Sequence, residues 1–533
     1  MLVRAWPYAL VTLLLLLLLV PSSTAAVASK ISDDKHFIYF MVGPALYSAF
    51  GRDLVSGIDF YCQYGVGYGY LFSYLIAPTA PQTVVNYVGV VVSAMVLFYV
   101  GLFAFLRWFY ESWRWALAVT LTVLFLQFHM DATFVDPSSY PLRYPLLALV
   151  CALAARWTSR GLSGLTGAAL ALGLGASLFL STETGIYLAG AVTVTALLTR
   201  QDRLRTLWRL TGVGVMSAAV FMGVSVAAFG ARTLDLRYPL LLMEPLLLYG
   251  GGYGALPIEW LGGWHYLYNF IAPGTALATV AWIAGAVRHD GPPQARARVS
   301  ALSMLSLLAL FMAVKYVNRS YVALWHVDAL CPIAVMAWWV RAWVKVYGGR
   351  VLLASPIRVV ARVPVLVGLA VLVVALLLTA SDARNPNIYA FRAYLRYPSL
   401  LNSMFGVRGS ACRQVDCVGP PVAQADVDLI RTRTQPHERV AIYSYLDWAF
   451  LIEARRPPKF AQVPSPYTHT RRQLVDSLAG VDLIFLRREG DATTTYGIDH
   501  PDLAAALVPD LTANFVREAE GEALVAWRRK KVD

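Results

Sequence analysis

The sequence predicts an α-helical polytopic membrane protein of about eleven transmembrane helices with a C-terminal α/β soluble domain. Three observations predict it. Hydrophobic residues make up 58% of the 533 residues and charged residues only 14%, where a soluble chain carries about 25% charged residues. Apolar runs recur through residues 1–380, many near the roughly 20 residues that cross a bilayer as a helix. Beyond residue 380 the runs give way to polar and apolar segments in which strand and helix patterns alternate.

The first apolar run, 6–27, follows Arg4 and ends in small residues around Ser23–Ala28. It reads as a retained first helix; a cleaved secretory signal has the same flanks. Further spans are expected at 83–106, 115–130, 144–158, 163–180, 185–199, 210–230, 268–287, 300–316, 323–340 and 364–380. The run 163–199 is divided at Ser181-Thr182-Glu183-Thr184-Gly185, because a carboxylate at mid-bilayer costs roughly 3 kcal/mol on insertion scales.

The net charge of +13 would fit nucleic acid binding, but its distribution excludes that class. Basic residues concentrate in alternate short loops, among them Arg107 and Arg114, Arg156 and Arg160, Arg296 and Arg298, and Arg341 and Lys345. The acids concentrate in the others, as the positive-inside bias requires. The N-terminus is therefore expected in the cytoplasm and the C-terminal domain, 381–533, outside a bacterial inner membrane. Strands are expected within 438–445, 481–488 and 522–529, with helices at 422–433 and 470–479. Cys62, Cys151 and Cys331 are scattered and read as buried thiols. Cys412 and Cys417 lie five positions apart and are expected to pair if the domain is exported to an oxidising compartment.

Chemistry is most concentrated in the first outer loop, 28–82. Asp33 and Asp34 stand just beyond the first span, followed by His36, then Arg52, Asp53, Asp59, Gln63 and Tyr64. A carboxylate at the mouth of a membrane cavity can serve as general base, or hold a divalent cation against a leaving phosphate. It can equally cap the helix that follows. Arg143, Glu183, Arg319 and His326 lie in other outer segments. Guanidinium groups there can grip a phosphate, or snorkel to lipid head groups.

The acidic pair Ser32-Asp33-Asp34, the segment GRDLVSGIDFYCQYG at 51–65 and the turn LSTETG at 180–185 carry a resemblance. Together with the layout of spans, they resemble the C-type glycosyltransferase superfamily, in its bacterial dolichyl-phosphate-mannose mannosyltransferase-like branch that includes the aminoarabinose transferases. The resemblance implies a polyprenyl-phosphate sugar donor, transfer outside the cytoplasm, and a catalytic role for Asp33 or Asp34. It places Asp59, Gln63 and Tyr64 in a substrate-facing loop. This chain has Gln63-Tyr64-Gly65 where relatives commonly have a Lys-Pro-Pro-type segment, and Glu183 where Lys is common. The expected function is transfer of a sugar to a lipid, glycan or protein acceptor, with membrane lipids as surroundings. The alternatives are a lipid-linked polysaccharide polymerase or ligase, and a flippase or transporter. No internal repeat of the transporter kind is apparent.

Overall fold

The computed structural model of the chain describes residues 6–16, 46–47, 49–51, 54–55, 58–59, 65–74, 80–130, 140–235, 237–243, 270–286, 292–318, 329–351, 423–435, 437–442, 447–456, 480–487, 509 and 511–530. These fall into two compact units. One comprises Met1–Ala28, Val84–Val224 and Ala255–Arg408; the other comprises Ser29–Thr83, Ser225–Gly254 and Gly409–Asp533.

The first unit is helical. Its helices are α1 (Trp6–Leu16); then, with α2 (Val66–Ser73) belonging to the second unit, α3 (Ala80–Tyr110), α4 (Trp113–Met130), α5 (Tyr140–Arg143), α6 (Leu147–Ser159), α7 (Gly164–Leu180), α8 (Thr182–Thr199), α9 (Arg203–Phe229), α10 (Ala272–Ala286), α11 (Pro293–Asn318) and α12 (Leu330–Val351). Three stretches among the described residues are long and apolar enough to cross a membrane: Gly89–Tyr110, Arg203–Phe229 and Pro293–Ala313. The expected spans from 83–106 to 323–340 each fall on one of the helices α3, α4 and α6–α12. The span 364–380 lies outside the described residues, as does 6–27 beyond Leu16.

Local chemistry fixes the helix ends. Asp202 precedes α9, and its carboxylate accepts the Arg205 N–H at 3.1 Å, satisfying a donor that the first turn leaves open. Helix α11 begins at Pro293, where a missing N–H costs nothing. The boundary between α7 and α8 falls at Ser181, whose φ of −147° and ψ of 102° are extended. The expected division of 163–199 is therefore a real helix break.

Helix α11 organises the first unit, packing against α6, α8, α10 and α12. Polar contacts between helices are made by small side chains. Thr158 on α6 donates to Ser300 on α11 at 2.9 Å, and Thr195 on α8 to Ser303 at 3.0 Å. Such bonds and small residues hold helices together where the hydrophobic effect is weak. Both pairs join C-terminal halves of α6 and α8 to the N-terminal half of α11, so α11 runs antiparallel to both. Near the break, a Cβ on Gly185 would come within 2.6 Å of the Leu178 backbone; only glycine lets α7 and α8 close so tightly. Cys151 and Cys331 are buried thiols, as expected, and Cys62 lies outside the described residues. The pair Cys412 and Cys417 lies outside the described residues.

The second unit contains a four-stranded sheet of β1 (Val440–Ile442), β2 (Leu483–Arg487), β3 (Phe515–Glu520) and β4 (Leu524–Arg529), with α13 (Gln424–Arg433) and α14 (Asp447–Ala454). The strand order is β1-β2-β4-β3. β1 and β2 are parallel, which requires a crossover connection; β4 runs antiparallel to both β2 and β3. Helix α13 packs on α14 and on β3 and β4. The Asp426 carboxylate in its first turn is fully buried and accepts the N–H groups of Ala523 and Leu524 at 3.0–3.1 Å. The strands expected at 438–445, 481–488 and 522–529 are β1, β2 and β4, and the helix expected at 422–433 is α13. β3 and α14 were not expected, and the helix at 470–479 lies outside the described residues.

Candidate functional site

Three of the expected site residues are described: Asp59, Arg143 and Glu183. Asp33, Asp34, His36, Arg52, Asp53, Gln63, Tyr64, Arg319 and His326 lie outside the described residues.

Arg143 and Glu183, forty positions apart, meet as an ion pair within the first unit. Arg143 is 6% exposed and Glu183 18%. Their elements explain the meeting. Arg143 ends α5 just ahead of α6, and Glu183 lies in the first turn of α8. Helices α6 and α8 pack against each other, so their N-terminal ends lie side by side. A second bond fixes the register: Thr184 donates its hydroxyl to the Arg143 carbonyl at 2.7 Å, and Ser181 donates to Thr184 at 2.9 Å. The guanidinium also lies 6.0 Å from the centroid of the Tyr144 ring. A carboxylate in the first turn of α8 complements the helix dipole. The arrangement thus gathers one buried guanidinium, one carboxylate and two helix N-termini at one end of the unit. Such a place attracts an anion through the N-termini and the guanidinium, with the carboxylate holding the guanidinium in position.

Asp59 forms a second pair, in the second unit. Arg232 Nη1 donates to Asp59 Oδ2 and Nη2 to Oδ1, each at 2.7 Å. Oδ2 also accepts the Val55 N–H at 2.7 Å, and the Asp59 N–H returns to the Val55 carbonyl at 2.8 Å. Its hydrogen bonds to the Asp59 carboxylate raise Arg232 above the ordinary guanidinium range. Arg232 lies on a short 3-10 helix, Ala231–Leu234, entered through Gly230 at φ 81°; that left-handed backbone favours glycine. Beside it, Phe229 stacks on Tyr47 at 6.3 Å and meets Tyr70 edge-on at 5.3 Å, and the Tyr70 and Tyr74 hydroxyls are 2.8 Å apart. Within the second unit, Tyr47, Asp59 and Tyr70 are therefore held to Phe229 and Arg232 by aromatic packing and a two-pronged ion pair.

Sequence reasoning missed Arg232. A signal was available: an arginine just past the end of an apolar span, on the side where basic residues are otherwise scarce. Among the described residues, no group of three or more His, Cys, Asp or Glu side chains is placed to hold a metal ion. An open groove of about 520 Å³ is lined by Phe270, Ile271, Gly274, Thr275, Ala278 and Trp339, at the start of α10 and against α12.

No family model and no curated protein sequence matches the chain. Two solved structures are similar to it over nearly its whole length. ArnT from Cupriavidus metallidurans bound to undecaprenyl phosphate is 15% identical, with 96% of this chain and 97% of that one covered and a TM-score of 0.43. The same protein in the apo state is 16% identical, with 93% of each chain covered and a TM-score of 0.39.

Proposed function

We propose that the chain is a membrane glycosyltransferase that moves a sugar from a polyprenyl-phosphate-linked donor to an acceptor on the extracytoplasmic face. One observation carries the reading. A buried guanidinium–carboxylate pair, Arg143 with Glu183, stands at the joined N-terminal ends of two apolar helices. Charges inside a membrane bundle are costly and mark substrate pathways more often than they stabilise the fold. The sequence resemblance at 32–34, 51–65 and 180–185 supports the same reading, and Glu183 lies within its third segment.

In the proposed reaction an acceptor oxygen attacks the anomeric carbon as the bond from that carbon to the phosphate oxygen breaks. The acceptor proton passes to the carboxylate of Asp33 or Asp34, and the electron pair leaves with the polyprenyl phosphate. That anion is neutralised by Arg143, with Arg319, His326 or a divalent cation as further partners of the phosphate. The donor is already activated, so positioning and electrostatic stabilisation supply the catalysis. His36, Arg52, Asp53, Gln63 and Tyr64 would line the acceptor side, on the loop that Asp59 and Arg232 fasten.

The test is mass spectrometry of envelope glycans and glycolipids from a deletion strain, complemented by the wild-type gene or by Arg143→Gln. A product lost on deletion and restored only by the wild type is the expected result. An unchanged glycan profile on deletion would overturn the proposal.

A further inference from the structure

At the other end of the first unit lies a cluster of charge that the proposed reaction does not use. Glu111 follows the C-terminus of α3 and pairs with Arg298, near the start of α11. Arg341 and Lys345, one turn apart on α12, interact electrostatically with both Glu111 and Arg298. Three cations thus face one carboxylate. Among the described residues, neither Arg341 nor Lys345 has a hydrogen-bonding or ion-pair partner. Arg341 is half-buried and Lys345 exposed, so the guanidinium is anchored among the helices while the ammonium reaches outward.

The surroundings mark this level as a head-group level. Trp343, between the two basic residues, is 63% exposed, and Trp6 and Trp108 are exposed as well. Trp6 meets Trp113 edge-on at 5.2 Å, Arg114 lies 5.6 Å from the Trp113 ring centroid, and Arg107 lies 5.4 Å from that of Tyr8. Tryptophan and tyrosine interleaved with basic residues, at the ends of apolar helices, form the belt of a membrane–water interface. Basic pockets between such helices bind phosphate head groups.

We propose that Arg298, Arg341 and Lys345 form a binding site for the phosphate head group of an anionic phospholipid, with Glu111 offsetting part of their charge through its ion pair with Arg298. The inference rests on the helices being membrane spans and not on glycosyl transfer. Arg341 and Lys345 supply the charge that Glu111 leaves uncompensated. The ligand chemistry is a phosphodiester, which a lipid presents at fixed depth and a free phosphate does not.

The experiment is native mass spectrometry of the full-length, detergent-purified chain titrated separately with phosphatidylglycerol, phosphatidylcholine and inorganic phosphate. Phosphatidylglycerol should bind preferentially. The double variant Arg341→Gln/Lys345→Gln should weaken that binding by about 30-fold, the loss expected from two interfacial cations. The charge-conserving pair Arg341→Lys/Lys345→Arg should retain it to within about 5-fold, and Glu111→Gln should strengthen it, because both keep or raise the positive charge. Equal binding of phosphatidylcholine, or phosphatidylglycerol binding unchanged in the folded double variant, would overturn the proposal. Saturable binding of inorganic phosphate, lost in the same variant, would also overturn the lipid assignment.

Discussion

Arg232 binds Asp59 through two parallel hydrogen bonds of 2.7 Å, tying a loop residue to a position 173 residues later in the chain. The pair closes a large chain loop with a planar fork that a lysine cannot reproduce. It also gives Asp59 a definite task, since its carboxylate is engaged by Arg232 and by the Val55 N–H. In the proposed enzyme Asp59 positions the first outer loop.

Arg232→Lys is therefore expected to loosen that loop with little change in overall stability. Arg232 is 54% exposed, and an ion pair of that kind contributes about 1 kcal/mol or less. Limited proteolysis should show faster cleavage within 51–65, while the thermal midpoint in detergent moves by no more than a few degrees. Unchanged cleavage would mean that the aromatic cluster of Tyr47, Tyr70 and Phe229 holds the loop alone.

The Arg143–Glu183 pair should behave in the opposite way. Removing one partner leaves an uncompensated buried charge, so Glu183→Ala is expected to destabilise by about 3–5 kcal/mol. Arg143→Met/Glu183→Leu removes both charges and should recover most of that stability. If the guanidinium serves the donor phosphate, the double variant will be stable and inactive. Thermal unfolding in detergent, with product analysis on the same preparations, separates the two effects.

Asp33 and Asp34 carry the proposed proton transfer. Asn at either position would still cap a helix, at a cost of at most about 1 kcal/mol. Loss of a general base commonly lowers the rate by about 10²–10⁴-fold. One of Asp33→Asn and Asp34→Asn should abolish product with normal expression and membrane insertion. Wild-type product levels in both variants and in the double variant would remove the first outer loop from the chemistry.

In the sheet, Asp426→Ala would strip two buried backbone N–H groups of their acceptor. At about 1–3 kcal/mol for each unsatisfied donor, the loss should be about 2–6 kcal/mol. Gly521→Ala should be harmful too, since its Cβ would come within 2.1 Å of the Asp426 carboxylate oxygen. Hydrogen exchange of the Ala523 and Leu524 amides in the full chain would report both.

Glu111 gives a pH signature. Its hydrogen bond from Arg298 holds the carboxyl below the usual carboxylate range. A lowered folded-state value means that the stabilisation is present above the unfolded value of about 4.3 and fades as pH falls through the folded value. The wild type should therefore unfold at a higher temperature than Glu111→Gln at pH 7, and the difference should shrink steadily as the pH is lowered below the usual carboxylate range. A difference that persists in acid would assign the effect to packing.

Hydrophobic runs and loop charges by themselves determined the apolar helices α3, α4 and α6–α12, the break at Ser181 and strands β1, β2 and β4. Each of these follows from local pattern: run length, the cost of a carboxylate in an apolar helix, and alternation along a strand. β3 escaped because FVREAE is exposed along most of its length; its strand state comes from pairing with β4, which a single segment does not encode. The tertiary structure alone decided the partners. Arg143 and Glu183 were each visible as outer-face charges, but their meeting required α6 and α8 to lie side by side. Arg232 became significant only when the 3-10 turn after α9 brought it to Asp59. Local pattern sets what a segment is, because periodicity and burial act over a few residues. Which charges face each other depends on packing between helices far apart in the chain.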